Sequence, residues 1–107
     1  MDKKNLRTIQ QFSPKGFVRQ RVWQSDQLHC NIYCFEPGQQ NSLHRHPVAD
    51  EVVFCWEGGG IIVVGNNHSP FRAGDTVLVP KNTPSRLPQH QSEPADDDHG
   101  RAVSSPS

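Results

Sequence analysis

The chain has 107 residues, enough for one domain with a modest core and too few for two. Its 11 Lys and Arg balance 11 Asp and Glu, so no global field favours nucleic acid or an anionic membrane. No apolar run approaches membrane-spanning length, no signal peptide opens the chain, and Cys30, Cys34 and Cys55 form no C-x-x-C pair, so they read as reduced thiols of a cytoplasmic protein.

Residues 1–15 are polar around isolated Leu6, Ile9 and Phe12, and are expected to form an arm that pairs at a sheet edge or with another subunit. From Gly16 onward the signal is strand. Phe17–Trp23 and Leu28–Phe35 are short and β-rich, separated by a turn at Gln24–Gln27. Glu36-Pro37-Gly38 is a turn, because proline fixes φ and glycine accepts a positive one. Ser42–His46 is predicted as a short strand, and Pro47–Asp50 reverses the chain. Glu51–Trp56 (EVVFCW) is a nearly continuous apolar run, as expected of a strand covered on both faces. After the bend at Gly58-Gly59-Gly60, Gly60–Val64 and His68–Phe71 form a hairpin about Gly65-Asn66-Asn67. Thr76–Val79 is a further strand, stopped by Pro80. Short strands at regular spacing, with no amphipathic helix, predict an all-β sandwich or barrel over residues 16–88. Lys81–Leu87 reads as loop. Residues 89–107 hold Pro, Ser, Asp and His with almost no apolar side chains, so they are expected to stay disordered.

The chemistry-bearing stretch is Gly38–Gly58. His-x-His on a strand puts His44 and His46 on one face, with Cα atoms about 6.6–6.8 Å apart. Glu51 opens the next strand across the reversal, so two imidazoles and one carboxylate can meet at a point. That is the donor set of a 2-His-1-carboxylate metal site. Val53 and Cys55 share the face of Glu51; Cys55 reads as a small hydrophobe before it reads as a ligand-contacting thiol. Val52, Phe54 and Trp56 face the other way, towards a second sheet or a subunit. Arg45 and His68 read as solvated, and Gln40 lies on the ligand side if the strand extends that far.

These residues resemble a cupin, specifically a small single-domain one. Gly38, His44, His46, Glu51 and Gly58 fill every fixed position of the family's first motif, G-x5-H-x-H-x3or4-E-x6-G. In the second motif, G-x5-P-x-G-x2-H-x3-N, Gly74 and Pro80 match, Asn82 stands at the glycine, Ser85 at the histidine and Gln89 at the asparagine. The resemblance implies a double-stranded β-helix (jelly roll), incomplete at the C-terminus if the tail supplies no strands. It also implies a divalent metal ion held by His44, His46 and Glu51, with Fe(II), Mn(II) and Zn(II) undistinguished. Ser85 leaves the fourth ligand missing.

A jelly roll needs strands after its second motif. Read one base forward, the codons of Asp96-Asp97-Asp98-His99 must encode a strand-compatible run of Met, Thr or Ile, so the tail is read as a frameshift product, which the gene's nucleotide sequence decides.

Two functions follow. One is a metal-dependent oxygenase or isomerase acting on a small organic molecule; the other is a non-catalytic small-molecule binding or sensing module, or a truncated inactive product. Neither a phosphate cradle nor a nucleophile–base pair is encoded. A homodimer is expected, because the outward apolar residues of Glu51–Trp56 need cover.

Overall fold

The computed structural model describes residues 1–90 and 100–105. A single helical turn, α1 (Leu6–Ile9), precedes eight strands: β1 (Val18–Gln24), β2 (His29–Phe35), β3 (Glu51–Glu57), β4 (Gly59–Val64), β5 (Asn67–Arg72), β6 (Thr76–Val79), β7 (Ser85–His90) and β8 (Gly100–Ser105). They form a five-stranded sheet in the order β1-β2-β8-β3-β6 and a three-stranded sheet in the order β5-β4-β7, every pairing antiparallel. The all-β expectation holds. Among the described residues no ladder joins strands of one sheet to strands of the other, so the barrel is open.

The core lies between the sheets, where Tyr33, Phe35, Val53, Cys55, Ile62, Phe71, Val79 and Leu87 are buried together. Phe71 and Val53 are fully enclosed, and burial of side chains of this size supplies about 1.5–3 kcal/mol each. A smaller cluster lies on the outer face of the large sheet, where Val22, Ile32 and Cys34 sit under Leu6, Ile9 and Phe12. The N-terminal arm is thus neither an edge strand nor free: it covers the back of β1 and β2. Asn5 caps α1, its side chain accepting from the Arg7 N–H at 2.9 Å. Lys4 Nζ donates to the Val22 carbonyl at 2.6 Å and stands 4.6 Å from the Trp23 ring centre. Arg7 reaches Glu57 at 3.0 Å, an exposed pair that adds little.

Double-sided burial falls on a different strand from the one expected. All of Asn31–Phe35 in β2 is buried, because the arm covers its back and the second sheet its front. In β3 burial alternates instead: Glu51, Val53 and Cys55 are inside, while Val52 and Phe54 remain 42% and 41% exposed. No second sheet covers them among the described residues.

The region after Pro80 also departs from its reading as loop and tail. Ser85–His90 pairs with β4, and Gly100–Ser105 lies between β2 and β3 in the middle of the large sheet. The β8 ladder runs from Asn31↔Ser104 to Phe35↔Gly100 on one side and from Val52↔Ser105 to Glu57↔Arg101 on the other. Backbone groups on both neighbours need partners, and almost any sequence can supply a backbone. The rest of the expected disordered tail, residues 91–99 and 106–107, lies outside the described residues.

Candidate metal centre and ligand cavity

Ser42–His46 does not form a strand. It makes a single bridge, His44 opposite Ser85, with His44 N–H donating to the Ser85 carbonyl at 2.9 Å and Ser85 N–H to the His44 carbonyl at 2.7 Å. The ladder cannot continue, because the His46 carbonyl accepts from Asn82 N–H at 2.6 Å, one residue out of register. Asn82 has φ +62°, the left-handed region that asparagine tolerates better than most side chains. That explains why asparagine can stand at the second motif's glycine position.

Although the strand is missing, the two imidazoles are still neighbours. Their ring centres are 4.9 Å apart and their planes meet at 83°. His44 Nδ1 lies 2.9 Å from the Ser42 carbonyl oxygen; a carbonyl only accepts, so Nδ1 carries the proton and Nε2 presents its lone pair. His46 Nε2 lies 3.5 Å from Glu51 Oε1, with the His46 side chain 24% exposed and that of Glu51 3%. His46 Nε2 is itself buried and has no hydrogen-bond partner. A buried polar atom left in this state costs about 1–3 kcal/mol, and a cation between imidazole and carboxylate would satisfy it. Among the described residues, no three His, Cys, Asp or Glu side chains close on one point. His46 and Glu51 face each other, and His44 stands beside them.

Residues directly opposite in an antiparallel pair project to the same face. Ser85, 4% exposed, therefore shares the face of His44 and occupies the position where the second motif carries its histidine.

A cavity of about 520 Å³ adjoins His44, lined by Phe17, Arg19, Tyr33, Asn41 and Ser42 as well as His44 itself. The sequence pointed to none of the first four. Arg19 and Tyr33 are register partners across β1 and β2, so one face carries both. Gln40, expected on the ligand side, is exposed; its neighbour Asn41 turns in and accepts the Leu87 N–H at 2.8 Å. Arg45 and His68 are exposed as expected.

Cys55 belongs to the inner core and is 3% exposed. Burial, with a smaller push from the Asp75 carboxylate, raises its thiol to about 11. At pH 8 its thiolate fraction is roughly 100-fold below that of an unfolded thiol, so iodoacetamide should modify Cys55 only after unfolding, as read by intact mass and peptide mapping. Below pH 9 the thiol is neutral in both states, whereas between about 9 and 11 only the unfolded chain ionises, so stability falls as pH rises through that window.

Residues 31–96 match the family described as Cupin domain, more than half of the chain. The chain belongs to the cupin family. This cupin is similar in structure to a protein from Thermus thermophilus, with a TM-score of 0.86 at 21% identity, covering 99% of this chain and 97% of that one. A rmlC-like cupin protein from Desulfovibrio desulfuricans gives 0.80 at 24% identity, covering 99% and 96%. A Klebsiella pneumoniae protein with a double-stranded β-helix domain gives 0.84 at 16%, covering 98% and 88%. In sequence, an uncharacterised protein of Methanocaldococcus jannaschii is 30% identical over 56% of this chain, and the match spans 56% of that protein. The structural likenesses bear on the fold, which is the double-stranded β-helix expected from the motifs.

Proposed function

We propose that this cupin holds a divalent cation on His44, His46 and Glu51 and takes a small organic molecule into the adjoining cavity. The observation that carries the reading is the buried, unpartnered His46 Nε2 facing the Glu51 carboxylate at 3.5 Å. Two imidazoles and one carboxylate suit Fe(II), Mn(II) and Zn(II) alike. When bound, a redox-active ion would serve oxygenase chemistry and a Lewis-acidic one would polarise a carbonyl for isomerisation. The chain's own part is to orient the donors: the Ser42 carbonyl sets the His44 tautomer, and the buried carboxylate of Glu51 supplies the negative charge. The test is metal content after purification without chelator. Wild type should carry close to one equivalent and His44→Ala a small fraction of it; equal content in both would refute the site.

A second reading, a non-catalytic binding module, is favoured by Ser85 at the fourth ligand position. Metal-free wild type that still binds ligands in the cavity would select it. The three free cysteines fit a cytoplasmic setting, and among the described residues no helix is long and apolar enough to cross a membrane. We also propose a homodimer through the outer face of β3 and β6, where Val52, Phe54 and Leu78 are 42%, 41% and 59% exposed and Val52 is paired with Leu78. Light scattering behind size exclusion should give about twice the 12.0 kDa chain mass, and a clean monomer would reject it.

A further inference from the structure

We infer that the cavity beside His44 selects a small carboxylate with a flat apolar body, and that Arg19 is the residue that reads its charge. The inference rests on the cavity being a ligand site, and not on the metal.

Arg19 and Arg21 lie on the same face of β1, two residues apart. Arg21 is already engaged: its Nε donates to Asn31 Oδ1 at 2.6 Å and its Nη1 to Gln24 Oε1 at 3.0 Å. The Arg19 guanidinium has no such partner among the described residues, and it lines the cavity. Among the described residues no aspartate or glutamate lines that cavity, so none of them compensates the charge of Arg19 there. A planar guanidinium offers paired N–H donors that match a carboxylate in bidentate fashion.

Asn41, a second polar residue of the lining, points the same way. The oxygen of the Asn41 carboxamide accepts the Leu87 N–H, which fixes the amide's orientation and leaves both N–H donors of its NH2 unused by that bond. A residue with donor capacity thus lines the cavity together with the cation. The cavity floor is aromatic. Phe17 stacks on Phe35 with ring centres 5.4 Å apart at 24°, and on Tyr33 at 6.2 Å and 28°. Phe17 is 36% exposed, so part of that stack remains open to a ligand. A volume of about 520 Å³ accommodates a small organic acid.

The probe is benzoate, with benzamide as its neutral isostere, titrated into chelator-treated protein and followed by amide chemical shifts. Wild type should prefer benzoate by on the order of tenfold, with shifts centred on Phe17, Arg19, Tyr33 and Asn41. Arg19→Gln should reduce the preference to about twofold or less, and Arg19→Lys, a point charge without the fork, should retain part of it. Arg19 is exposed, so both variants should keep the wild-type melting temperature. Equal affinity for the two probes, a preference surviving in Arg19→Gln, shifts elsewhere on the protein, or no binding of benzoate would each overturn the inference. Metal content is scored separately. Metal-free wild type with the benzoate preference intact would sink the metal site and leave this reading standing; loaded protein without the preference would do the reverse.

Discussion

Replacing Ser85 with histidine is expected to tighten Zn(II) binding by on the order of 100-fold. Ser85 stands directly across from His44, on the face where the imidazole lies, so a histidine there adds a fourth donor to the proposed set. Four-ligand zinc sites release roughly 10–16 kcal/mol, so one donor's share is about 3 kcal/mol. A serine hydroxyl supplies little of that, being a poor donor to a borderline ion. Competition against a chromogenic chelator gives the affinity, and unchanged binding would mean that position 85 is not a ligand position. Ser85 is only 4% exposed, so the larger side chain carries an overpacking cost of about 1–3 kcal/mol. The melting temperature of the metal-free variant should therefore fall, while added Zn(II) should more than restore it.

Phe71→Ala is expected to cost about 3–5 kcal/mol of folding stability, close to the whole margin of a domain this size. Phe71 is fully enclosed where β5 packs against the inner face of β3, among Tyr33, Phe35, Val53 and Val79. Truncation leaves a cavity that two sheets pinned by their own ladders can only partly close. Phe54→Ala, on the outer face at 41% exposure, should cost much less in the same urea titration. Equal costs would mean that the outer face is as well covered as the inner one.

How much of this could be read beforehand differs from element to element. β6 begins and ends where its apolar run and Pro80 put it, and β3 needs only one residue added to the expected Glu51–Trp56. The inward set Glu51, Val53 and Cys55 follows from alternation alone, and the structure buries all three. The pairing of His44 with His46 survived the loss of the strand that was supposed to deliver it, because one bridge to Ser85 and one hydrogen bond from Asn82 hold that segment extended enough.

The cavity was not legible. Phe17, Arg19, Tyr33 and Asn41 come from the residue before β1, from β1, from β2 and from a loop, which meet only when β1 pairs with β2 in one particular register, and nothing local in PKGFVRQR or HCNIYCF announces a binding wall. The expectation of double-sided cover for β3 failed for a similar reason. A run of apolar residues states what would gain from burial, while the arm's path decides which strand is covered. Here Leu6, Ile9 and Phe12 lie over β2, leaving Val52 and Phe54 bare.

By itself the sequence determined the β class, the turn positions and the candidate donors His44, His46 and Glu51, because these depend on side-chain periodicity and on glycine and proline at fixed spacing. Only the tertiary structure decided that Gly100–Ser105 fills the centre of the large sheet, that Ser85 faces His44, and that Arg19 overlooks a cavity. Such facts depend on which backbones lack hydrogen-bond partners and which registers bring distant side chains together. Both are properties of the assembled sheets and of no single stretch of chain.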